Sequence, residues 1–440
     1  MSGETEQQEA PTADEIDRML DGIEWQVKTD KGRPIPGVRN SRLFVETLLL
    51  KSKIRINEYT GLMEVDGKSL VTDSLVDEWR DRVEAVSNVG KWNEKDFDAA
   101  LRIIASKAKR YHPIREYLKG CEKEWDGQDR IRKLIGSIIP TRDQKDIYSR
   151  YLEVFMFGAV CRIMKPGCKF DQSLILLGKE GIRKSSLFSF LVPVREWFID
   201  TMPPLGDKDA MMAIQTAWVI EWAELESIRK ANSTAIKSFL TSQFDTYRAP
   251  YGRKIEKHPR KCVFAGTTNE EEFLTSTSGN RRFMVLPLNG MIDTDYIMEC
   301  RNQLWGEAIH KCRAANFDGS ILLKLTADES EEQRESNLEF SPKNEWEGPV
   351  LEWLTNDKLK DIAGEKYVTT DIILDGLKIP IERRAQAQKM VGNVLRDSGW
   401  QNARRRLYAG AGQSRVFLCP ENWQSEVLTR LSASAPEFFK

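Results

Sequence analysis

Histidine is scarce in this chain, with three in 440 residues, and the seven cysteines, at 121, 161, 168, 262, 300, 312 and 419, include no Cys-x-x-Cys pair. Both scarcities argue against a structural zinc site, and scattered thiols fit a reducing compartment, so a cytoplasmic protein is expected. No apolar run approaches the roughly 20 residues needed to span a bilayer. The first residues carry Glu4, Glu6, Glu9, Asp14, Glu15 and Asp17 with no base before Arg18, unlike a signal peptide, and are expected to form a disordered acidic tail over 1–20. An excess of either charge is missing too: 66 Lys and Arg against 67 Asp and Glu leave a formal net charge of −1. Affinity for nucleic acid would therefore have to come from local basic patches.

What is present is an apolar content of 40%, enough for a large core and more than one domain. Residues 21–140 mix short strands and helices, with a hairpin around Glu58-Tyr59-Thr60-Gly61 and a helix from Asp96 to Ala108. His112-Pro113 breaks the chain before a further helix from Ile114 to Cys121. Residues 141–325 alternate helix and strand, as a nucleotide-binding α/β domain does. A charge-rich linker is expected over 326–343. Residues 344–440 read as three helices and a terminal hairpin, a winged-helix-like module whose basic helix runs from Arg383 to Ser398.

Gly178-Lys179-Glu180-Gly181-Ile182-Arg183-Lys184-Ser185 is nearly a phosphate-binding loop. It follows a predicted strand, Ser173 to Leu177, and opens a predicted helix from Ser185 to Leu191. That arrangement aims backbone N–H groups and the positive end of a helix dipole at an anion. The ATP-binding residues would be Gly178, Glu180, Gly181, Ile182, Arg183, Lys184, Ser185 and Ser186, with Lys184 on the β/γ-phosphates and Ser185 on Mg²⁺. One position breaks the pattern, because Arg183 stands where such loops carry glycine. Glycine adopts torsions that other residues resist and lets backbone approach phosphate closely, so arginine either points outward with the loop intact or compromises the loop. The motif by itself also fits an ordinary strand-to-helix connection.

Three further elements follow in order. The strand Ala217 to Leu225 ends in carboxylates. Glu221 is assigned to Mg²⁺ and Glu224 to polarising the attacking water, and the two roles could be exchanged. A second strand, from Lys261, ends in Thr267-Thr268-Asn269, and Asn269 is the candidate γ-phosphate sensor. Arg281 and Arg282 precede a third strand, Met284 to Leu288, and are candidates for an arginine finger reaching a neighbouring subunit's nucleotide. Between the acidic and the Asn-terminated strands, Arg248 to Lys261 holds six bases, Arg248, Arg253, Lys254, Lys257, Arg260 and Lys261, against Glu256. Arg248, Arg253, Lys254 and Lys257 are the DNA candidates there, and Arg404, Arg405 and Arg406 are those in the terminal module.

The loop, the acidic strand end, the Thr-Thr-Asn strand and the Arg-Arg pair, in this order, resemble the virulence-associated protein E family, relatives of the superfamily 3 helicases. The wording of Asn57-Glu58-Tyr59-Thr60-Gly61, His112-Pro113-Ile114-Arg115-Glu116-Tyr117-Leu118, Trp125-Asp126-Gly127, Pro166-Gly167-Cys168-Lys169-Phe170-Asp171, Tyr247 to Arg253 and Thr267 to Glu270 is similar too. The resemblance covers roughly residues 40–290. It implies an AAA+-like P-loop ATPase core behind a collar-like α+β region, using ATP and Mg²⁺. It further implies a homo-hexameric ring moving on single-stranded DNA in the replication of a phage or mobile element, with the basic hairpin in the ring channel. The alternative is an ATPase-impaired DNA-binding oligomer that regulates or interferes with replication. A small-molecule P-loop kinase leaves the basic hairpin and the terminal module without a role.

Overall fold

Ser173–Leu177 is buried at every position, as its unbroken apolar run predicts for a strand covered on both faces, and the first part of the molecule is arranged around it. The computed structural model describes residues 18–50, 52–69, 73–201, 208–223, 233–247, 255–274, 280–341, 345–355, 360–362, 365–406, 413–420 and 423. Its contacts divide the chain into two compact units, one ending at Glu339 and one beginning at Phe340.

The first unit opens with α1 (Val38–Leu48), β1 (Ile54–Asn57), β2 (Met63–Val65), β3 (Lys68–Ser69), α2 (Asp73–Ser87), α3 (Glu94–Lys107), β4 (Lys109–Tyr111) and α4 (Pro113–Glu124). β1 and β2 form the predicted antiparallel hairpin. β4, which sequence patterning does not reveal, adds in parallel on the other side of β1. Its three residues are too few for a periodic signal. Phe44, Val83, Trp92 and Phe97 fill the core of this part. The Asn93 side chain caps α3 by accepting from the Lys95 N–H, with Glu94 and Asp96 in the first turn and Lys107 in the last, each suited to the helix dipole. His112 caps α4 in the same way, with Pro113 at the first helical position, where its missing N–H costs nothing.

The remainder of this unit runs α5 (Asp146–Met164), β5 (Ser173–Leu177), α6 (Lys184–Leu191), β6 (Phe198–Ile199), α7 (Lys208–Ala213), β7 (Val219–Trp222), α8 (Ser233–Thr241), β8 (Phe244–Tyr247), β9 (Glu256–Pro259), β10 (Val263–Thr268), β11 (Phe283–Pro287), α9 (Thr294–Ala314), α10 (Gly319–Leu322) and α11 (Ala327–Glu339). Five strands form one sheet in the order β11-β5-β10-β7-β6, and every pairing in it is parallel. All strand C-termini therefore share one edge, where open α/β sheets place their ligands. α5 is buried along nearly its whole length, consistent with a helix that is apolar on all sides. It packs on β5, β10 and β11, while α9 packs on α4, α5 and α6. Gly306 permits the α4–α9 approach, since a Cβ there would meet the Cys121 carbonyl oxygen at 2.6 Å and Trp125 Cβ at 2.8 Å. The Trp218 and Trp305 rings lie 4.3 Å apart, and their indole N–H groups donate to the carbonyls of Ala159 and Leu191.

Residues 327–339 differ from the expected linker. They form α11, which buries Gln333, Ser336 and Asn337. Gln333 Nε2 and Asn337 Nδ2 both donate to the Phe283 carbonyl, at 3.1 Å each. The abundant charges mark only the solvent side of a helix that attaches to the start of β11 through polar side chains.

The second unit contains α12 (Glu347–Thr355), β12 (Lys360–Ile362), β13 (Glu365–Val368), α13 (Thr370–Gly376), α14 (Ile381–Asp397), β14 (Gln401–Arg406) and β15 (Gln413–Leu418). The strands form an antiparallel sheet in the order β12-β13-β15-β14. Val350, Leu354, Ile373, Val391, Leu395 and Phe417 pack the helices onto it. The three helices and the terminal hairpin lie where the sequence places them, and β12 and β13 are additional.

Candidate functional site

The loop after β5 turns at the C-terminal edge of the sheet and enters α6. The Gly178 N–H donates to the Thr268 carbonyl at 3.1 Å. A Cβ at Gly178 would meet Ile182 Cδ1 at 2.7 Å and Leu288 Cβ at 3.2 Å, so glycine lets the loop pass close to the exit of β11. Gly181 takes a positive φ of 80°, and Arg183, the residue that caps α6, is left-handed as well, with φ 66° and ψ 31°.

That geometry explains why glycine is expected at position 183, and the side chain shows how arginine is accommodated. Arg183 Nη1 donates to Thr294 Oγ1 at 3.0 Å and lies 3.9 Å from the Asp295 carboxylate. Thr294 and Asp295 open α9, and the loop is fastened there a second time, by the Ile292 N–H donating to the Ile182 carbonyl at 3.2 Å. The guanidinium is thus drawn out of the loop interior, the side-chain placement that the first of the two outcomes requires.

Lys184 is buried inside the loop. Its ammonium donates to the carbonyls of Gly178 at 2.6 Å and Lys179 at 2.8 Å, and to Asn269 Oδ1 at 2.6 Å. Asn269 follows β10, and β10 pairs with β5 so that Thr268 faces Leu177. The lysine and the amide are 85 residues apart in sequence and meet because their strands are neighbours with aligned ends.

Beside them sits a second group. Ser185 Oγ, in the first turn of α6, donates to Glu221 Oε1 at 2.6 Å, and Thr267 Oγ1 donates to the same oxygen at 2.8 Å. Glu221 is 0% exposed. Its other oxygen, Oε2, is buried without a hydrogen-bond partner. Burial pushes this carboxyl above its ordinary range, and the Ser185 and Thr267 hydroxyls pull it partly back. A buried carboxylate with one satisfied and one unsatisfied oxygen, next to a serine hydroxyl, is a hard-oxygen donor set that fits a divalent cation. Among the described residues no cluster of three or more His, Cys, Asp or Glu could hold a metal ion alone. A Mg²⁺ ion completed by phosphate oxygens and water does not require one.

Other candidates are placed differently. Glu224 lies outside the described residues, as do Arg248, Arg253 and Lys254. Arg281 and Arg282 occupy a short 3-10 turn at the start of β11. Since β11 runs parallel to β5 with Phe283 opposite Ser173, both arginines lie at the opposite edge of the sheet from the loop, roughly 16 Å away along a five-residue strand. Arg282 is held there, donating to Thr241 Oγ1 at 3.1 and 3.2 Å and lying 3.6 Å from Asp171. Arg281 is exposed.

The strands on either side of residues 248–254 pair antiparallel, β8 with β9 from Phe244–Pro259 to Tyr247–Glu256, and Lys257 is exposed on β9. Two of the six bases in the basic stretch are structural. Arg260 is 1% exposed in an ion pair with equally buried Asp245 at 2.8 Å and stacks 4.2 Å over the Phe239 ring. Lys261 donates to the Tyr59 carbonyl and sits 4.5 Å over the Tyr59 ring. Burial lowers its pKa to about 8. A charge count along the chain cannot separate such anchors from solvated bases. Arg404 in β14 is exposed and Arg405 partly so, while Arg406 ends that strand.

Sequence reasoning missed Thr267 as a partner of Glu221, although the Thr-Thr pair at the strand end was visible. It also missed Thr294 and Asp295, which lie more than a hundred residues beyond Arg183 and carry no motif.

Several solved structures are similar to this chain. The apo structure of the NrS-1 C-terminal region (305–718) shares 10% identity, covers 86% of this chain and 99% of that one, and gives a TM-score of 0.40. The A form apo structure of that region shares 11%, covers 90% and 92%, and gives 0.36. No curated protein matches. Residues 118–341, just over half of the chain, match the family described as the virulence-associated protein E-like domain. They take in the candidate phosphate loop, Glu221, Asn269 and the arginine pair, and the chain belongs to that family.

Proposed function

We propose that this chain is an AAA+-like, ATP-dependent DNA helicase or translocase that acts on single-stranded DNA in the replication of a phage or mobile element. The observation that carries the proposal is the convergence of Lys184, Asn269, Ser185, Thr267 and Glu221, from α6, β7, β10 and its following residue, at the C-terminal edge of a parallel sheet. Lys184 would exchange loop carbonyls for the oxygens of the β- and γ-phosphates, and Asn269, already on that ammonium, would meet the γ-phosphate with its amide. Ser185 and Glu221 would hold Mg²⁺, which neutralises charge developing on the phosphates during transfer. Thr267 fixes the carboxylate's orientation. Glu224 is kept as the candidate for positioning water.

Exposed Arg281, at the far edge of the sheet, cannot serve its own chain's loop, and this supports a ring in which it serves the neighbour's. The exposed Lys257 on β9 supports a salt-dependent track for a DNA strand. The left-handed Arg183 is the one feature that favours the alternative, an ATPase-impaired DNA-binding oligomer. Its attachment to α9, away from Lys184, favours the active reading.

The test is ATP hydrolysis by the purified protein with and without single-stranded DNA, beside Lys184→Ala. Hydrolysis that DNA stimulates and Lys184→Ala abolishes is expected. Equal silence of both proteins, with DNA binding retained, would establish the impaired oligomer instead.

A further inference from the structure

The second unit holds a charge arrangement that packing alone disfavours. Between α14 and β15 lies a half-open cleft of about 860 Å³, lined among others by Lys389, Arg396, Arg415, Asp371, Gly392 and Phe417. Its three bases are exposed. Asp371 is its acid, and that carboxylate accepts from Gln388 Nε2 at 2.6 Å rather than from a base. Arg415 has a fourth base directly across from it. In the register of the terminal hairpin, Arg415 pairs with Arg404, and opposed residues of an antiparallel pair share a face of the sheet. Like charges at such a pair are unfavourable unless an anion lies between or above them. Among the described residues none of Lys389, Arg396, Arg404 and Arg415 forms an ion pair. Arg396 donates to Asn393 and Arg415 to Asn402, both neutral amides.

The helix shows the same bias. Positions 385, 388, 389, 392 and 396 of α14 recur at helical spacing along the cleft, and they carry Lys389 and Arg396. Glu382 and Asp397 lie beside this stripe, so the bases of α14 that line the cleft, Lys389 and Arg396, are those available to a ligand held there.

We propose that this cleft binds the phosphodiester backbone of DNA, with Lys389, Arg396, Arg404 and Arg415 as the contacts. Lys389 and Arg396 are seven residues apart, about 10 Å along the helix axis, farther than one phosphate bridges, so the fitting ligand is a chain of phosphates rather than a free anion. This inference rests on the reading of the chain as a DNA-acting protein, and it is independent of nucleotide hydrolysis.

The experiment measures binding of the full chain to a labelled single-stranded oligonucleotide and to the corresponding duplex, without nucleotide, over a series of salt concentrations. The variants are Lys389→Ala/Arg396→Ala/Arg415→Ala combined and Arg415→Lys alone, each checked for unchanged thermal unfolding. The triple variant is expected to lose about tenfold or more in affinity, and its log-log salt slope to fall by about 2–3, with Arg415→Lys close to the parent. The DNA form showing the larger fall is the one the cleft holds. A triple variant that folds and keeps both affinity and slope on both DNAs overturns the proposal. Lys184→Ala, which tests the nucleotide site, is expected to leave this slope unchanged, so the two readings fail separately.

Discussion

Replacing Arg183 by glycine removes two opposed contributions that nearly cancel. The left-handed backbone at φ 66° costs a residue with a Cβ about 1–2 kcal/mol. Against that stands the hydrogen bond from Arg183 to Thr294 Oγ1 at 3.0 Å. The arginine side chain is 42% exposed, so the bond is worth about 0.5–1.5 kcal/mol after screening. The Asp295 contact, at 3.9 Å with a carboxylate 74% exposed, adds about 0–0.5 kcal/mol. Glycine relieves the strain, loses the tether and gains about 0.5–1 kcal/mol of unfolded-state freedom. Arg183→Gly is thus expected to lie between neutral and about 1 kcal/mol less stable. Arg183→Ala keeps the strain, loses the tether and should be less stable by about 1 kcal/mol, a melting shift of about 1–2 °C for a unit of this size. Because the guanidinium already lies outside the loop interior, nucleotide affinity in Arg183→Gly, titrated with a fluorescent ATP analogue and Mg²⁺ beside Lys184→Ala, should stay within about threefold of the parent. A gain beyond tenfold, about 1.4 kcal/mol, would show that the arginine obstructs the phosphates and would refute the outward geometry.

Glu221→Gln tests the buried carboxylate in two directions. A carboxyl whose folded pKa is raised binds more protons folded than unfolded, so its charge destabilises the fold as pH rises above about 4.5. The glutamine variant should melt higher than the parent at neutral pH, with the gain disappearing near pH 4, while Mg²⁺-dependent ATP hydrolysis is lost; a lower melting temperature at pH 7 would contradict this. Lys261 has the opposite slope. Its pKa, lowered from 10.5 to about 8, leaves the unfolded state holding more protons between those values, so this group makes stability rise across that interval. Lys261→Met should flatten that rise in denaturant titrations, and an equal rise in the variant would remove lysine burial as its cause.

Where a site residue is announced by a local pattern, the sequence was sufficient; where it is supplied by a distant strand or helix, it was not. The β5 strand, the loop and α6 are contiguous, and an apolar run followed by a glycine-bracketed turn and a basic-hydroxyl pair specifies them without tertiary help. Asn269 was legible because a polar residue closing a buried strand has one sensible place in a parallel sheet. The Ser185–Glu221–Thr267 group needed the register: Glu221 faces Ala265 on the adjoining strand, so its carboxylate reaches the hydroxyl two residues further along, on the same face. No spacing within a single strand encodes that. The same limit explains Arg260 and Lys261, which swell the charge count of the basic stretch until burial shows them bound to Asp245 and to the Tyr59 carbonyl. It also explains Arg183, whose tolerance in a glycine position depends on the start of a helix more than a hundred residues away. A change at Thr294 that removes the hydroxyl but keeps the shape, Thr294→Val, therefore belongs to the phosphate loop as much as a change within it, and its effect should be non-additive with Arg183→Gly.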